Sequence, residues 1–476
     1  MAGGEPAREL VIGLLEQVAE IPVLVERIEE LERRVGRDSG NSSQPPSSDA
    51  PKSRAERRRT AREAYKRSMR KSGGQPGHEG KTRELVAPER VDERREHLPG
   101  RCGCGHAFSG IEERIGDPVI HQQYELAVIR PLVFEHSRVR LGCPGCGRAV
   151  LAELPGAALA GFGPRLDAHI AMLAGVFRLS REQVRQVVVE VFGVPASTGS
   201  IDNAIMRMSA VLADPWSELR HAIRQAEVVH ADETTWRLAG AQQWLWVAAS
   251  ALVACYRIDP SRSQKAAKAL LGEDFGGFVV SDRYAGYHFL DVLQQQLCWC
   301  HVIRQLVEAS QRSGIAGRRA KKLVKLARQV ISAHRSYIGE GHNPEWLATQ
   351  LTPLREQIRG LLEQCAAGHH VRTANFAAGL LAEYEALWTF VDVPQAGIDP
   401  TNNAAERAVR HAVLMRKTQG GTQSDRGSRW IERIQSVRET CRLQDRPVLD
   451  WLTQAASAAH RGLPVPTLLA ATAHDP

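Results

Sequence analysis

Three carboxylates far apart in the chain, Asp232, Asp282 and Glu406, are the residues whose types and settings could do chemistry. Asp232 follows the β-prone run Val228-Val229-His230-Ala231, and Asp282 follows Gly277-Phe278-Val279-Val280-Ser281. Each acid is therefore expected to project from the end of a buried strand. Glu406 comes later, in Asp399-Pro400-Thr401-Asn402-Asn403-Ala404-Ala405-Glu406-Arg407-Ala408-Val409-Arg410. There Pro400 ends an extended segment, Thr401 or Asn402 offers an N-cap, and Ala404 to Met415 reads as a helix. Glu406 then lies in the first turns, on the face shared with Asn402, Asn403 and Arg410. Taken singly, an acid at a strand end is often turn chemistry, and a Glu near a helix start often answers the macrodipole. Three that converge have another use: fixed oxygen donors hold Mg²⁺, a hard ion that keeps waters and phosphate oxygens around it.

The elements that would position them follow a recognisable order. Between the two Asp residues lie two aromatic and β-branched runs, Trp244 to Ala249 and Val253 to Ile258, and then helical Ser263 to Leu271. Strand, strand, strand, helix, strand, with an acid on the first and fourth, is the pattern of an α/β ribonuclease-H-like core, expected over 222–442. After Asp282, Tyr287 to Gln296 reads as a helix and Leu297-Cys298-Trp299-Cys300-His301 as the fifth strand. The mainly helical stretch that follows carries the basic run Arg318, Arg319, Lys321, Lys322, Lys325 and Arg328. A sheet of this kind has no room for it, so 303–395 is a helical insertion. Cys298 and His301 read as a buried thiol and a hydrogen-bonded imidazole closing the sheet edge, in preference to a zinc site. Trp388 reads as core in preference to a platform for a flipped base. Trp430 to Leu443 is expected to close the sheet, and 443–476 to form a short last helix and a tail.

Upstream, Leu14, Ile21, Leu24, Ile28, Leu31 and Val35 fall on a heptad seam, which makes 1–37 a zipper-like, coiled-coil helix. Residues 38–96 read as a linker and basic arm, in which Arg57, Arg58 and Arg62 are candidate contacts to DNA phosphates. Two Gly-rich knuckles, Cys102-Gly103-Cys104-Gly105-His106 and Cys143-Pro144-Gly145-Cys146, are separated by about forty residues of hairpin-like sequence that includes Tyr124 to Phe134. Paired thiolates on such turns suit a structural Zn²⁺, so 97–152 reads as a zinc ribbon. Its ligands would be Cys102, Cys104, Cys143 and Cys146, with His106 as an alternative for one of the first pair. Over 160–215, Phe162 to Phe177, Ser180 to Phe192 and Ser197 to Leu212 read as three helices with a sharp Gly193-Val194-Pro195 turn. They fit either a helix-turn-helix DNA-binding domain, with Arg181, Arg185 and Arg207 as contacts, or a plain bundle that orients the core.

With 476 residues the chain is too long for one core. A net charge of +8 fits an acidic polymer as partner, and nine cysteines without an export signal argue for metal ligation over a disulfide frame. The longest apolar run, Trp244 to Tyr256, is too short to span a bilayer, so a cytoplasmic, nucleoid-associated protein with no membrane partner is expected.

The motifs His-Ala-Asp-Glu-Thr at 230–234, Ser-Asp-Arg-Tyr-Ala-Gly-Tyr at 281–287, Cys-Trp-Cys-His at 298–301 and Thr-Asn-Asn-Ala-Ala-Glu-Arg-Ala-Val-Arg at 401–410 resemble those of the insertion-sequence-sixty-six family of transposases. The N-terminal Ser-Gly-Asn-Ser-Ser-Gln-Pro-Pro-Ser-Ser-Asp and Gly-Gly-Gln-Pro-Gly-His-Glu-Gly stretches extend the likeness over nearly the whole chain. The resemblance implies a DDE enzyme in which Asp232, Asp282 and Glu406 hold two Mg²⁺ ions, or Mn²⁺, to cleave DNA and join the freed 3′-OH to a target. It also implies mobile-element ends as substrate, assembly as a homo-oligomer on DNA, and small accessory proteins of the same element as partners. Beyond Glu406, Arg410 is a further candidate DNA contact. The rival expectations are a non-catalytic DNA-binding regulator derived from a transposase and a ribonuclease-H-like nuclease.

Overall fold

The computed structural model describes residue 58 and residues 83–154 and 161–469. The heptad seam, Arg57 and Arg62 lie outside the described residues, whereas Arg58 is helical and exposed. The chain divides into two compact units, residues 50–129 and the remainder.

In the first unit, the described residues hold little regular structure beyond a single 3₁₀ turn, Pro88–Arg90. Gln122 reaches back to both backbone groups of Val86, at 2.8 and 3.2 Å.

In the second unit, β1 (Arg140–Gly142) pairs antiparallel with β2 (Ala149–Leu151) around the second knuckle. Tyr124 to Phe134, read as hairpin-like, forms no strand; Pro131 in its middle has no N–H to give to a ladder. Among the described residues of this unit, four helices precede the sheet: α1 (Pro164–Ala171, prolonged by a π-turn to Val176), α2 (Arg181–Glu190), α3 (Thr198–Val211) and α4 (Ala213–Arg224). Ser180 and Ser197 begin α2 and α3 with reciprocal capping boxes, which is why those boundaries were readable. Sequence reading missed α4, because Pro215 near its start looks like a breaker; in the first turn a proline removes only an N–H that has no intrahelical partner anyway.

The sheet consists of β3 (Val228–Leu238), β4 (Ala241–Ala249), β5 (Ala254–Asp259), β6 (Phe278–Ser281) and β7 (Gln295–Leu297), with α5 (Gln264–Leu271) between β5 and β6. Its order is β5-β4-β3-β6-β7; the first three strands are antiparallel, and β6 and β7 run parallel to β3. This mixed five-stranded sheet is compatible with a ribonuclease-H-like core.

Two expectations around β7 are corrected. Tyr287 to Gln296 is not a helix but two 3₁₀ turns, Ala285–Tyr287 and Val292–Gln294, the second capped by Asp291. The fifth strand ends at Leu297, and Trp299–His301 already belong to the next helix, α6 (Trp299–Ser310). Hydropathy hid the strand because two of its three residues are glutamines, buried with satisfied amides. Gln296 accepts from the Phe390 N–H at 2.9 Å and donates to the Leu387 carbonyl at 3.2 Å, while Gln295 donates to Leu290 at 3.0 Å.

The insertion comprises α6, α7 (Gly314–Glu340), α8 (Pro344–Ala366) and α9 (Val371–Ala382) and has its own core, built on Val280 and Leu297 at the β6–β7 edge. Trp388 belongs to that core, fully buried and edge-on to Trp299 at 5.2 Å. The chain returns as α10 (Asn403–Gln419), α11 (Asp425–Leu443) and α12 (Val448–His460), which share one core with α1–α4 and β3–β5.

Helix α11 also closes the exposed edge of the sheet. The outward N–H groups of Ala254, Tyr256 and Ile258 donate to Thr440 Oγ1 (3.0 Å), Ser436 Oγ (2.9 Å) and a Glu432 carboxylate oxygen (2.7 Å). Two residues of strand rise about 6.6 Å and four residues of helix about 6 Å, so every second strand N–H meets every fourth helix side chain. An edge that would otherwise invite a foreign strand is thereby covered.

Candidate active site

Asp232 does not end its strand: β3 runs six residues further, to Leu238, because β4 pairs with it all the way to the hairpin. The parallel partner β6, however, stops at Ser281, just before Asp282. Register pairs His230 with Val280, so Asp232 and Asp282 each stand two residues beyond a matched pair, on neighbouring strands and on the same face.

Glu406 is brought to them by a set of hydrogen bonds that joins four separate elements. The Cys298 N–H donates to the Ser281 carbonyl at 2.8 Å, which fixes the exit of β7 beside the exit of β6. The Asn402 N–H donates to Cys298 Sγ at 3.2 Å, and its side-chain amide donates to the Ala231 carbonyl at 2.7 Å. Asn402 is the N-cap residue of α10, but its side chain does not cap the helix; it ties the helix start to β3 one residue before Asp232. One turn on, the Glu406 N–H donates to the Asn402 carbonyl at 3.0 Å. Asp399 steadies the approach, accepting from both the N–H and the hydroxyl of Thr401 at 2.7 Å.

Four carboxylates meet here, and they differ in how their charge is balanced. Glu233 is buried and holds Arg262 (Nε 2.8 Å, Nη2 2.5 Å) while accepting from the Tyr287 hydroxyl at 2.9 Å. Burial and Asp282 raise its pKa, and Arg262 opposes them. Glu406 accepts from His301 Nε2 at 2.9 Å and lies 3.5 Å from Arg304; the His301 bond holds its carboxyl below the usual range. Burial works against the charge on His301, but the bond to Glu406 together with the nearby Cys298 and Asp282 raises the imidazole pKa. Asp232 keeps some surface open yet sits deep among protein atoms. Burial, then the like charges of Glu233, Asp282 and Glu406, push its carboxyl well above its ordinary range, opposed only by the Glu233 N–H at 2.8 Å. Among the described residues, neither Asp232 nor Asp282 forms an ion pair.

Cys298, His301 and Glu406 also place one donor atom each within 4.8 Å of one another. Sulfur, imidazole and carboxylate together suit a softer ion than Mg²⁺. In the structure Cys298 is a buried thiol that accepts a peptide N–H, and His301 bonds the third acid.

A sequence model described as "Transposase IS66 family" matches residues 160–429, more than half of the chain. The chain belongs to the IS66 transposase family. The matched span contains Asp232, Asp282, Glu406 and the whole insertion of this IS66 chain. A second model, a family of unknown function, matches residues 5–84. Among curated proteins, the uncharacterized protein y4qI of Sinorhizobium fredii is 24% identical over 276 residues, 51% of this chain and 49% of the relative. The IS66 chain thus spans about half the length of that relative.

The remaining candidate residues are placed as follows. Cys102 and Cys104 lie in the first compact unit, Cys143 and Cys146 in the second. Each knuckle is a closed turn, the second one residue longer than the first. Gly105 donates to the Cys102 carbonyl at 2.9 Å and Cys102 to that of His106 at 2.8 Å; Gly147 donates to Cys143 and Cys143 to Arg148, both at 2.8 Å. Gly105 and Gly147 have φ of 97° and 69°, which a side chain would resist. The peptide N–H of His106 and the Cys102 thiol lower the Cys104 pKa, and the N–H groups of Gly145 and Cys146 lower that of Cys143. Arg181 pairs with Asp202 at 2.6 Å, Arg185 with Glu182 at 2.5 Å, and Arg207 forks onto buried Asp167 at 2.7 and 3.0 Å. Arg410 is exposed on α10. No described helix is long and apolar enough to cross a membrane.

Glu233, Arg262, Tyr287 and Arg304 were missed from sequence. Glu233 sits inside the quoted His-Ala-Asp-Glu-Thr motif, but strand alternation assigns it to the face away from Asp232. Arg262 and Tyr287 lie in loops and turns, and no local pattern points to their meeting.

Proposed function

We propose that the chain is a DNA transposase in which Asp232, Asp282 and Glu406 hold two divalent cations, Mg²⁺ or Mn²⁺, against a scissile phosphate. One observation carries the reading. Of four converging carboxylates, Glu233 is matched by Arg262 and Glu406 by His301 and Arg304, while Asp232 and Asp282 have no cationic partner among the described residues. Unpaired, partly buried carboxylates held close to one another cost free energy unless protons or bound cations neutralise them. The all-oxygen donor set fits hard ions. Bound there, such ions would polarise the phosphate and lower the pKa of an attacking water.

The chain's own residues do the positioning. Asn402 fixes the distance of α10 from β3, and His301 with Arg304 orients Glu406 toward the two aspartates. The Glu233–Arg262–Tyr287 group keeps the strand rigid behind Asp232. Each Cys knuckle would offer thiolates to structural Zn²⁺, Cys102 and Cys104 in one and Cys143 and Cys146 in the other, supported by their closed turns; His106 is the alternative donor in the first. DNA ends, a second copy of the chain and small proteins of the same element are the proposed partners. Arg57, Arg58, Arg62, Arg181, Arg185, Arg207 and Arg410 are proposed DNA contacts.

A supercoiled plasmid carrying element ends, incubated with the protein and Mg²⁺, tests this. Wild type is expected to give joined products. Asp232→Asn should bind DNA normally but lose nicking by more than about a hundredfold. Full nicking by Asp232→Asn contradicts the assignment. Nicking by wild type without joining indicates a nuclease, and binding alone a regulator.

A further inference from the structure

Helix α7 of the insertion is cationic in a way that core packing does not explain. Between Gly314 and Gly339 it carries seven Lys or Arg residues and no Asp or Glu. Its buried side is apolar: Ala320, Leu323, Val324, Ala327 and Val330. From 318 to 335 its exposed positions hold only Arg, Lys, Gln and Ser. Arg318, Lys321, Lys325, Arg328 and Arg335 recur at steps of three, four and seven, so they form one stripe opposite the core side. Lys321, Lys325 and Arg328 border a shallow groove of about 340 Å³. Among the described residues none of these five side chains forms an ion pair with a carboxylate.

The neighbouring helix α8 is a useful contrast. It mixes Glu345, Glu356 and Glu363 with Arg355 and Arg359, and Arg355 and Arg359 pair with acids. Mixed signs are what a merely solvated surface needs. A row of like charges spaced three and four apart weakens its own helix, so the α7 stripe calls for an anionic partner. The chemistry of that partner follows from what the face lacks. With no exposed aromatic or large aliphatic side chain between 318 and 335, the face is poorly suited to a protein interface, where Lys is depleted and buried apolar anchors dominate. It suits a polyphosphate backbone.

We propose that α7 is a sequence-independent binding surface for the backbone of duplex DNA. The stripe from Arg318 to Arg335 is about 25 Å long, which spans about seven base-pair steps. Its placement is apt. α7 packs along α6, whose His301 and Arg304 hold Glu406, and His334 on α7 is within electrostatic reach of Asp399. A duplex lying on this helix would be held by the element that packs against α6, which carries His301 and Arg304. The inference rests on the transposase reading for the identity of its ligand.

The test uses the full chain, a duplex of arbitrary sequence about forty base pairs long, and anisotropy titrations at several salt concentrations. The triple substitution Lys321→Gln, Lys325→Gln, Arg328→Gln should reduce the slope of log affinity against log salt by about two to three. At about 0.1 M salt the same variant should bind roughly ten- to a hundredfold more weakly. The single substitution Lys325→Glu, less able to disturb the fold, should weaken binding about threefold or more. Thermal melting of both variants should equal or slightly exceed that of wild type, since every altered side chain is exposed and like-charge repulsion along the helix is relieved. Unchanged slopes and affinities in the variants, with wild type binding well, overturn this inference and leave the transposase reading intact. A wild-type chain that binds no duplex at all overturns both.

Discussion

At the scale of single residues, the molecule separates charges that are matched from charges that are not. His411 is an instance away from the carboxylates. It donates from Nε2 to the Val176 carbonyl at 2.9 Å, and burial, then nearby Arg438, lower its pKa to about 4. An unfolded histidine titrates near 6.5, so as pH falls the unfolded chain takes up this proton first. The contribution of His411 is therefore complete above about pH 6.5 and is lost progressively toward pH 4, by at most about 3 kcal/mol. Urea unfolding at several pH values should show a shallower loss of stability in His411→Gln than in wild type over that window. Parallel curves would mean that the neutral ring matters little. The acids were legible because each follows a short apolar run or opens a helix. Their neighbours Glu233 and Arg262 were not, because the pairing of residue 233 with residue 262 depends on a loop that periodicity does not describe.

At the scale of elements, strands β3 to β6 and helix α5 lie close to where alternation and apolar runs predict them. The misreading at β7 occurs where polar side chains take backbone roles. β7 contains Gln295 and Gln296, whose amides bond to Leu290 and to Leu387 and Phe390 across a buried seam, and no hydropathy pattern marks such a strand. The same principle covers the β5 edge, where Ser436, Thr440 and Glu432 of α11 replace a sixth strand. Replacing Ser436 with Ala should leave the buried Tyr256 N–H without its acceptor and cost about 1–3 kcal/mol. Thr440→Ala should do the same for Ala254. Equilibrium denaturation reads this directly, and a loss below about 0.5 kcal/mol in both variants would show that the helix covers the edge by packing alone. Gly421 reinforces the opposite end: its φ is 108°, and a Cβ there would come within 2.3 Å of the Arg237 carbonyl oxygen. Only glycine lets the chain after α10 run close beside the end of β3.

At the scale of the whole molecule, the sheet and the insertion have separate cores, and Glu406 reaches the sheet after the chain has passed through the entire insertion. Cys298 and Asn402 close that detour, linking Ser281, Ala231 and the start of α10 by direct hydrogen bonds. Sequence order announced an α/β core with an insertion, because the apolar runs and the acids recur in sequence with a long basic, helical stretch between them. It did not announce how the detour is closed, since hydrogen bonds between residues 171 and 104 positions apart leave no local trace. On the proposed reading, this closure builds one cation site from three distant acids. Titration of Mn²⁺ into the purified protein, followed by its paramagnetic resonance, tests it most directly. Asp232→Asn, Asp282→Asn and Glu406→Gln should each weaken Mn²⁺ binding at least about tenfold, while Asp291→Asn, which alters only a turn cap, should leave it unchanged. Equal Mn²⁺ affinity in wild type and all three variants would contradict it.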